Sequence, residues 1–316
     1  MEIKFWGVRG SIPTPLNSQD IKLKIRKSLL LARDVDTSTE EKLDYFLNQL
    51  PFSVYGTFGG NTPCVSVQDD HDNIIILDMG SGARGLGYDL KQRYPNGKAL
   101  YIFLSHTHWD HIQGIPFFLP IYDKNFTLIF HSPKLDIEER LIAQQEEKFF
   151  PAQFHHTFSK KMIKHIKEND ELEINKDLFI SSYKLMHPGD SFAYKITSNN
   201  KSVIYATDAE FYQLNEEFMN KMHQFWFNAE AIIFDAQYTM QEYISKINWG
   251  HSTNTMAVDI AVHCKIKKLI LFHHEPIYTD EFIETTVRKS KEYLNILYPD
   301  YPLEILGAYE GLAINI

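Results

Sequence analysis

Cysteine is almost missing: Cys64 and Cys264 are the only two in 316 residues. They lie far apart and make no Cys-x-x-Cys pair, which excludes a zinc knuckle or a disulfide framework as the organising element. Positive charge is also short. The net charge is −9 and no stretch is strongly basic, so whole-chain electrostatics do not favour a long nucleic acid as partner. No apolar run approaches the roughly eighteen residues of a membrane span. The first residues, Met1-Glu2-Ile3-Lys4-Phe5-Trp6, alternate like a strand and lack the apolar core of a signal peptide. A soluble cytoplasmic protein with no membrane partner is the expectation. Internal repeats and low-complexity linkers are absent as well.

What is present is apolar material, 44% of the residues, with 14% aromatic. That suffices for a sizeable core. Strand-like segments are expected at 2–6, 52–57, 62–68, 73–78, 99–104, 126–131, 178–186, 191–197, 202–206, 231–234, 268–272, 302–306 and 311–315. Helical spacing marks 84–93, 136–149, 209–223, 253–264 and 280–296. Residues 18–49 read as two helices broken at 34–39, with Ser38 as N-cap of the second and Glu41 completing a capping box. They look like an insertion between two strands. The irregular alternation suits one layered α/β domain over 1–316 with mixed sheets.

The densest feature is His106-Thr107-His108-Trp109-Asp110-His111, directly after the apolar run Ala99–Leu104. A lone histidine is commonly a core residue. Three imidazoles and a carboxylate within six positions, on a loop leaving a buried strand, are instead ligands suited to zinc and other borderline metals. A two-metal site needs more ligands. His187, Asp208 and His273 each follow an apolar run, as a strand-end ligand should. Asp78, beside Gly80 and Gly82 at another strand end, either orients a neighbouring site or caps the next helix. His155 and His156 lie in an aromatic and lysine-rich stretch, readable as a substrate-contacting lid or as a surface loop. His71 reads as an ordinary turn residue, and His131, His165, His223 and His263 carry no further signal.

The order His-x-His-x-Asp-His, then His, Asp and His, resembles the metallo-β-lactamase superfamily. Phe5-Trp6-Gly7-Val8-Arg9-Gly10-Ser11, Gly59-Gly60-Asn61-Thr62 and Leu104–His111 resemble the branch near RNase Z and the PhnP-type phosphodiesterases. The resemblance implies an αββα sandwich with the site at one edge of two packed sheets. It implies His106, His108 and His187 on a first metal, Asp110, His111 and His273 on a second, and Asp208 between them. Two divalent ions are implied, zinc most often, with manganese or iron as alternatives. Iron-centred redox members carry an acidic residue where this chain has His108, which argues for hydrolysis. His274 adjoins His273 and is the competing ligand; the alignment of 269–278 with the RNase Z segment favours His273. Ile277 replaces that family's arginine, which weakens a tRNA reading.

Trp249-Gly250-His251-Ser252-Thr253 resembles the RNase Z motif whose histidine protonates the leaving group, and Phe234-Asp235-Ala236 resembles the segment carrying its carboxylate partner. The plainer alternative is that His251 merely precedes a helix capped by Ser252 or Thr253. The leading expectation is a dinuclear hydrolase of a small phosphodiester such as a cyclic nucleotide. A hydroxide held by the two metals and oriented by Asp110 and Asp208 would attack, with His251 and Asp235 handling the leaving group. The alternatives are hydrolysis of another ester, thioester or lactam, or a sensor module without turnover. The pocket is expected to be shaped by 18–49 and 132–165. Oligomeric state is not legible, and a homodimer stays open.

Overall fold

The run Ile74-Ile75-Ile76-Leu77 shows the rule that builds the molecule. Side chains alternate across a strand, and here both faces are covered. Ile74 and Ile76 pack with Leu86 and Leu90 on one side, and Ile75 and Leu77 with Ile3, Phe5 and Tyr205 on the other. A strand buried on both faces reads as an unbroken apolar run. Ile232 and Phe234 against Ala231 and Ile233, or Leu269 and Leu271 against Ile270 and Phe272, repeat the pattern.

The structure is a computed structural model that describes residues 1–211 and 216–316. The first half supplies β1 (Glu2–Gly7), β2 (Cys64–Gln68), β3 (Ile74–Leu77), β4 (Ala99–Phe103), β5 (Thr127–Ser132) and β6 (Lys160–His165). The second supplies β7 (Glu171–Asn175), β8 (Leu178–Leu185), β9 (Ser191–Ser198), β10 (Lys201–Ala206), β11 (Ala231–Asp235), β12 (Lys268–Phe272), β13 (Glu304–Gly307) and β14 (Ala313–Asn315). Among the described residues they form two seven-stranded sheets, ordered β14-β1-β2-β3-β4-β5-β6 and β13-β12-β11-β10-β9-β8-β7. Both are mixed: β3 to β6 run parallel, as do β10 to β13, and the remaining pairs are antiparallel.

The helices are α1 (Ser18–Leu31), α2 (Glu40–Gln49), α3 (Phe52–Tyr55), α4 (Ala83–Arg93), α5 (Trp109–Ile112), α6 (Ile137–Gln144), α7 (Glu216–Trp226), α8 (Met240–Ser245), α9 (Asn254–His263) and α10 (Asp280–Leu297). Helices α4 and α6 cover the first sheet, and α9 and α10 cover the second. The expected four-layer αββα sandwich is therefore the observed one. No described helix is long and apolar enough to cross a membrane.

Several expected elements differ. Residues 52–57 form no strand; α3 stands there. Its Ser53 and the following Gly56 place their carbonyls on the Lys24 ammonium at 2.5 and 2.7 Å, a tertiary cap from α1 that local alternation does not reveal. The N-cap of α2 is Thr39, because Ser38 is drawn into a turn by Asp36. Helix α6 stops at Gln144, short of the expected 149. Strands β6 and β7 and helix α8 had no clear pattern. In the expected 209–223 helix, α7 begins at Glu216 and residues 212–215 lie outside the described residues.

One polar group sits in the sheet-to-sheet core. The His131 ring stacks on Phe103 at 4.5 Å, and its Nδ1 is buried without a hydrogen-bond partner among the described residues. Burial, helped by Lys164, pushes the imidazole down from its ordinary 6.5 to about 4. The folded state thus resists a proton that the unfolded chain accepts, so stability present above pH 6.5 is lost as pH falls towards 4. For His131→Phe, urea unfolding with chelator at pH 7.5 and 4.5 should show an acid-induced loss roughly 2–3 kcal/mol smaller than the parent's. An identical loss in both proteins would rule out this origin.

Candidate metal centre

The C-terminal ends of β3, β4, β8, β10, β11 and β12 deliver Asp78, the 106–111 loop, His187, Asp208, Asp235 and His273. Loops at strand C-termini are the usual place for a site in an open α/β sheet. The structure brings all seven expected ligands together, in overlapping groups whose donor atoms lie within 4.8 Å of one another. One group is His106, His108, His187 and Asp208, and another is Asp110, His111 and His273. A third joins Asp208 and His273 to Asp235 and His251.

Asp208 stands between the groups. Its Oδ1 lies 3.2 Å from Nε2 of both His111 and His273, and its Oδ2 lies 3.6 Å from His106 Nε2 and 3.8 Å from His187 Nε2. Asp110 Oδ2 lies 3.3 Å from Nε2 of both His111 and His273 and accepts the Ser11 N–H at 2.7 Å. Burial, the largest single influence, raises both carboxyls, but the surrounding imidazoles, His111 foremost and His273 with it, together outweigh it and hold each well below the usual carboxylate range. For His111 burial is overcome by Asp208 and Asp110, and its pKa rises. His106 is driven down, chiefly by burial.

The outer hydrogen bonds show which nitrogen faces inward. His111 Nδ1 meets Asp78 at 2.7 Å, His187 Nδ1 the Gly250 carbonyl at 2.8 Å, and His273 Nδ1 the Gln237 Oε1 at 2.9 Å. These oxygens only accept, so each Nδ1 carries a proton, which leaves Nε2 as the nitrogen that can give its lone pair to a cation once it is free of a proton of its own. His108 is the exception, turning Nδ1 towards His187 Nε2 at 3.1 Å. Nε2 of His106 and of His111 are buried with no hydrogen-bond partner. Orphaned imidazole nitrogens beside ionised carboxylates are what a divalent cation satisfies, so the donor set fits one.

His274, the competing ligand, points away. Its Nε2 donates to the Ala308 carbonyl at 2.9 Å, its ring lies against Phe58, and burial pushes it down to about 3. Asp235 belongs to the third group, yet both its oxygens are used, by the N–H groups of Ala209 and Gln237 and by His251 Nδ1 at 2.8 Å. It therefore orients His251, which stacks on His273 at 5.0 Å. Burial, the largest single influence, opposes charge on His251, but Asp235 together with Asp208 and Asp110 outweighs it and the imidazole is pushed up to about 9.

Asp78, Asp208 and His273 all have left-handed φ, of 57°, 54° and 60°. Such backbone costs on the order of 1–3 kcal/mol at a non-glycine residue and clusters at functional sites. Gly10 is required by close approach, since a Cβ there would lie 2.7 Å from the His273 ring. Sequence reading left Asp78 between two roles. It caps nothing: the N-cap of α4 is Gly82, and no side chain caps that helix. Its carboxylate takes the Ser105 N–H and hydroxyl, the Tyr205 hydroxyl and His111. Gln237 and Tyr205 were missed, because a polar residue in or just after an apolar strand looks the same whether or not an imidazole waits beside it.

The two segments expected to shape the pocket differ in what they touch. From 132–165, Arg140 reaches Thr107 at 2.9 Å and Lys134 the Gly189 carbonyl at 2.5 Å. Helix α1 borders a cavity of about 350 Å³ against 276–281 that none of the seven ligands lines. His155 and His156 form a short turn that lines a separate hollow with α6 and enters no ligand group. His71 stays a turn residue facing Asp177.

The profile of the family described as "Beta-lactamase superfamily domain" matches residues 75–274. Ribonuclease Z of Picrophilus torridus is 24% identical over 289 residues, covering 76% of this chain and 88% of its own. The metallo-β-lactamase fold protein YhfI of Bacillus subtilis superposes with a TM-score of 0.63 at 17% identity, covering 99% of this chain and 98% of its own. A diphosphatase from the PhnP family gives 0.61 at 16%, covering 100% of this chain and 97% of its own.

Asp78→Asn would place an amide nitrogen against groups that all donate. Its metal dissociation constant, measured by chelator competition, should rise about 10–100-fold. An unchanged constant would mean that His111 needs no such support.

Proposed function

The chain belongs to the β-lactamase superfamily, and from that premise we propose that it is a dinuclear metal-dependent hydrolase of a small phosphodiester such as a cyclic nucleotide. His106, His108 and His187 would hold one ion and Asp110, His111 and His273 the other, with the Asp208 carboxylate available to both. Zinc suits these ligands, with manganese or iron as substitutes. Two bound divalent ions supply an acidified water and charge neutralisation at the phosphoryl oxygens.

The chain's own groups account for the rest. Asp110 and Asp208 turn carboxylate oxygens to the space between the imidazoles and orient the attacking water. As its oxygen bonds to phosphorus, the bond to the leaving alkoxide breaks. His251, with Nδ1–H anchored on Asp235, whose charge favours the protonated ring, gives its Nε2 proton to that alkoxide. This pair beside the ligand cluster is the observation that carries the reading. Alkoxide departure benefits from an acid more than thioester cleavage does, because a thiolate is the weaker base. The name of the ribonuclease Z relative supports a phosphodiester target. The net charge of −9 supports a small one.

Purified protein should hold two metal ions and cleave bis(p-nitrophenyl) phosphate with added zinc or manganese. His108→Ala should abolish that turnover. Metal-loaded protein inert on diesters but active on thioesters or lactams would overturn the reading. His251→Ala should slow diesters with alkyl leaving groups by about 10²–10⁴-fold and nitrophenyl diesters far less. Equal losses would count against its acid role.

A further inference from the structure

Glu210 is only 2% exposed, yet it enters none of the ligand groups found among the described residues. Its carboxylate accepts two backbone N–H groups of one turn, Asn248 at 2.8 Å on Oε1 and Gly250 at 3.1 Å on Oε2. Gly250 is the residue whose carbonyl receives the His187 Nδ1 proton, and the next residue is His251. The Glu210 N–H donates to the carbonyl of Met186, the residue before His187. Next to it, the Ala209 N–H reaches Asp235 at 3.2 Å and the Ala209 carbonyl accepts the Ser252 hydroxyl. Asp208-Ala209-Glu210 thus joins the loop before His187, the Asp235 carboxylate and the 248–252 turn.

The turn needs such an anchor. Asn248 and Gly250 both have left-handed φ, 72° and 85°. Two N–H groups converging on one point form a small anion-binding concavity, and an ionised carboxylate fills it with charge-assisted bonds. The packing beneath has little slack, because a Cβ at Gly250 would lie 2.1 Å from His187 Nδ1. A shift of the turn therefore moves the Gly250 carbonyl off His187 and carries the His251 backbone with it.

We propose that Glu210 is a positioning residue for two groups at once: by clamping the 248–250 turn it orients His187 for one metal ion and sets His251 for proton donation. The inference rests on the roles of His187 and His251 given above. Remote support of this kind holds an imidazole in one tautomer and direction, and its loss weakens metal binding without removing a ligand.

Glu210→Gln is the discriminating variant, since its amide accepts one N–H and opposes the other. Its chelator-treated form should stay folded and melt cooperatively a few degrees below the parent at most, since only one buried hydrogen bond is lost. By chelator competition, zinc dissociation constants should change unequally, one rising about tenfold and the other staying unchanged. The kcat for an alkyl diester should fall about tenfold or more with KM nearly constant, and the nitrophenyl diester should fall less. Glu210→Ala should show the same split, enlarged. Parent-like affinity for both ions, or an equal weakening of both, would overturn the proposal, as would equal losses on the two diesters. The zinc measurement reads His187 whatever ester is cleaved. A parent protein inert on both diesters would therefore sink the phosphodiester reading alone.

Discussion

Asp208 is a fully buried carboxylate held in left-handed backbone with imidazoles on both sides. Taking a carboxylate out of water costs several kcal/mol unless opposite charge and hydrogen bonds answer it. Here His111 and His273 face one oxygen, His106 and His187 approach the other, and the Thr207 hydroxyl donates at 2.7 Å. The imidazoles in turn need fixed tautomers to aim their lone pairs at the same space. The geometry of the edge where the two sheets meet follows from that pair of requirements.

An outer ring of acceptors meets the second requirement. Asp78, the Gly250 carbonyl, Gln237 and Asp235 each take one imidazole N–H. Those acceptors are themselves held. Tyr205 and Ser105 donate to Asp78, Gln237 donates to Glu275 at 2.6 Å, and Glu210 clamps the turn behind Gly250. Such a network is rigid only while each member is satisfied. The sandwich makes this affordable by burying its strands on both faces, so that strand ends present short loops at fixed positions.

Much of this was legible in the chain. Apolar runs such as Ile74–Leu77 and Leu269–Phe272 could belong only to buried strands, and period-two packing then required layers on both sides. The cluster 106–111 and the strand-end residues His187, Asp208 and His273 declared themselves by chemistry and spacing. Short-range signals failed where a distant group intervened. Lys24 capping the Ser53 and Gly56 carbonyls turned an expected strand into α3, and Asp36 drew Ser38 out of the cap position.

Residue type and local period alone thus determined a layered α/β class and the pool of metal-ligating side chains, while the αββα arrangement was implied by the resemblance of the motifs to a family. Which members of that pool meet was decided by tertiary structure. His273 and His274 are chemically identical neighbours, and only the left-handed backbone at His273 sends one imidazole to Asp110 and Asp208 and the other to Ala308. Asp78, Gln237 and Glu210 likewise look like ordinary polar residues in the chain. Their roles arise from contacts across 33, 36 and 40 positions, which no local pattern encodes.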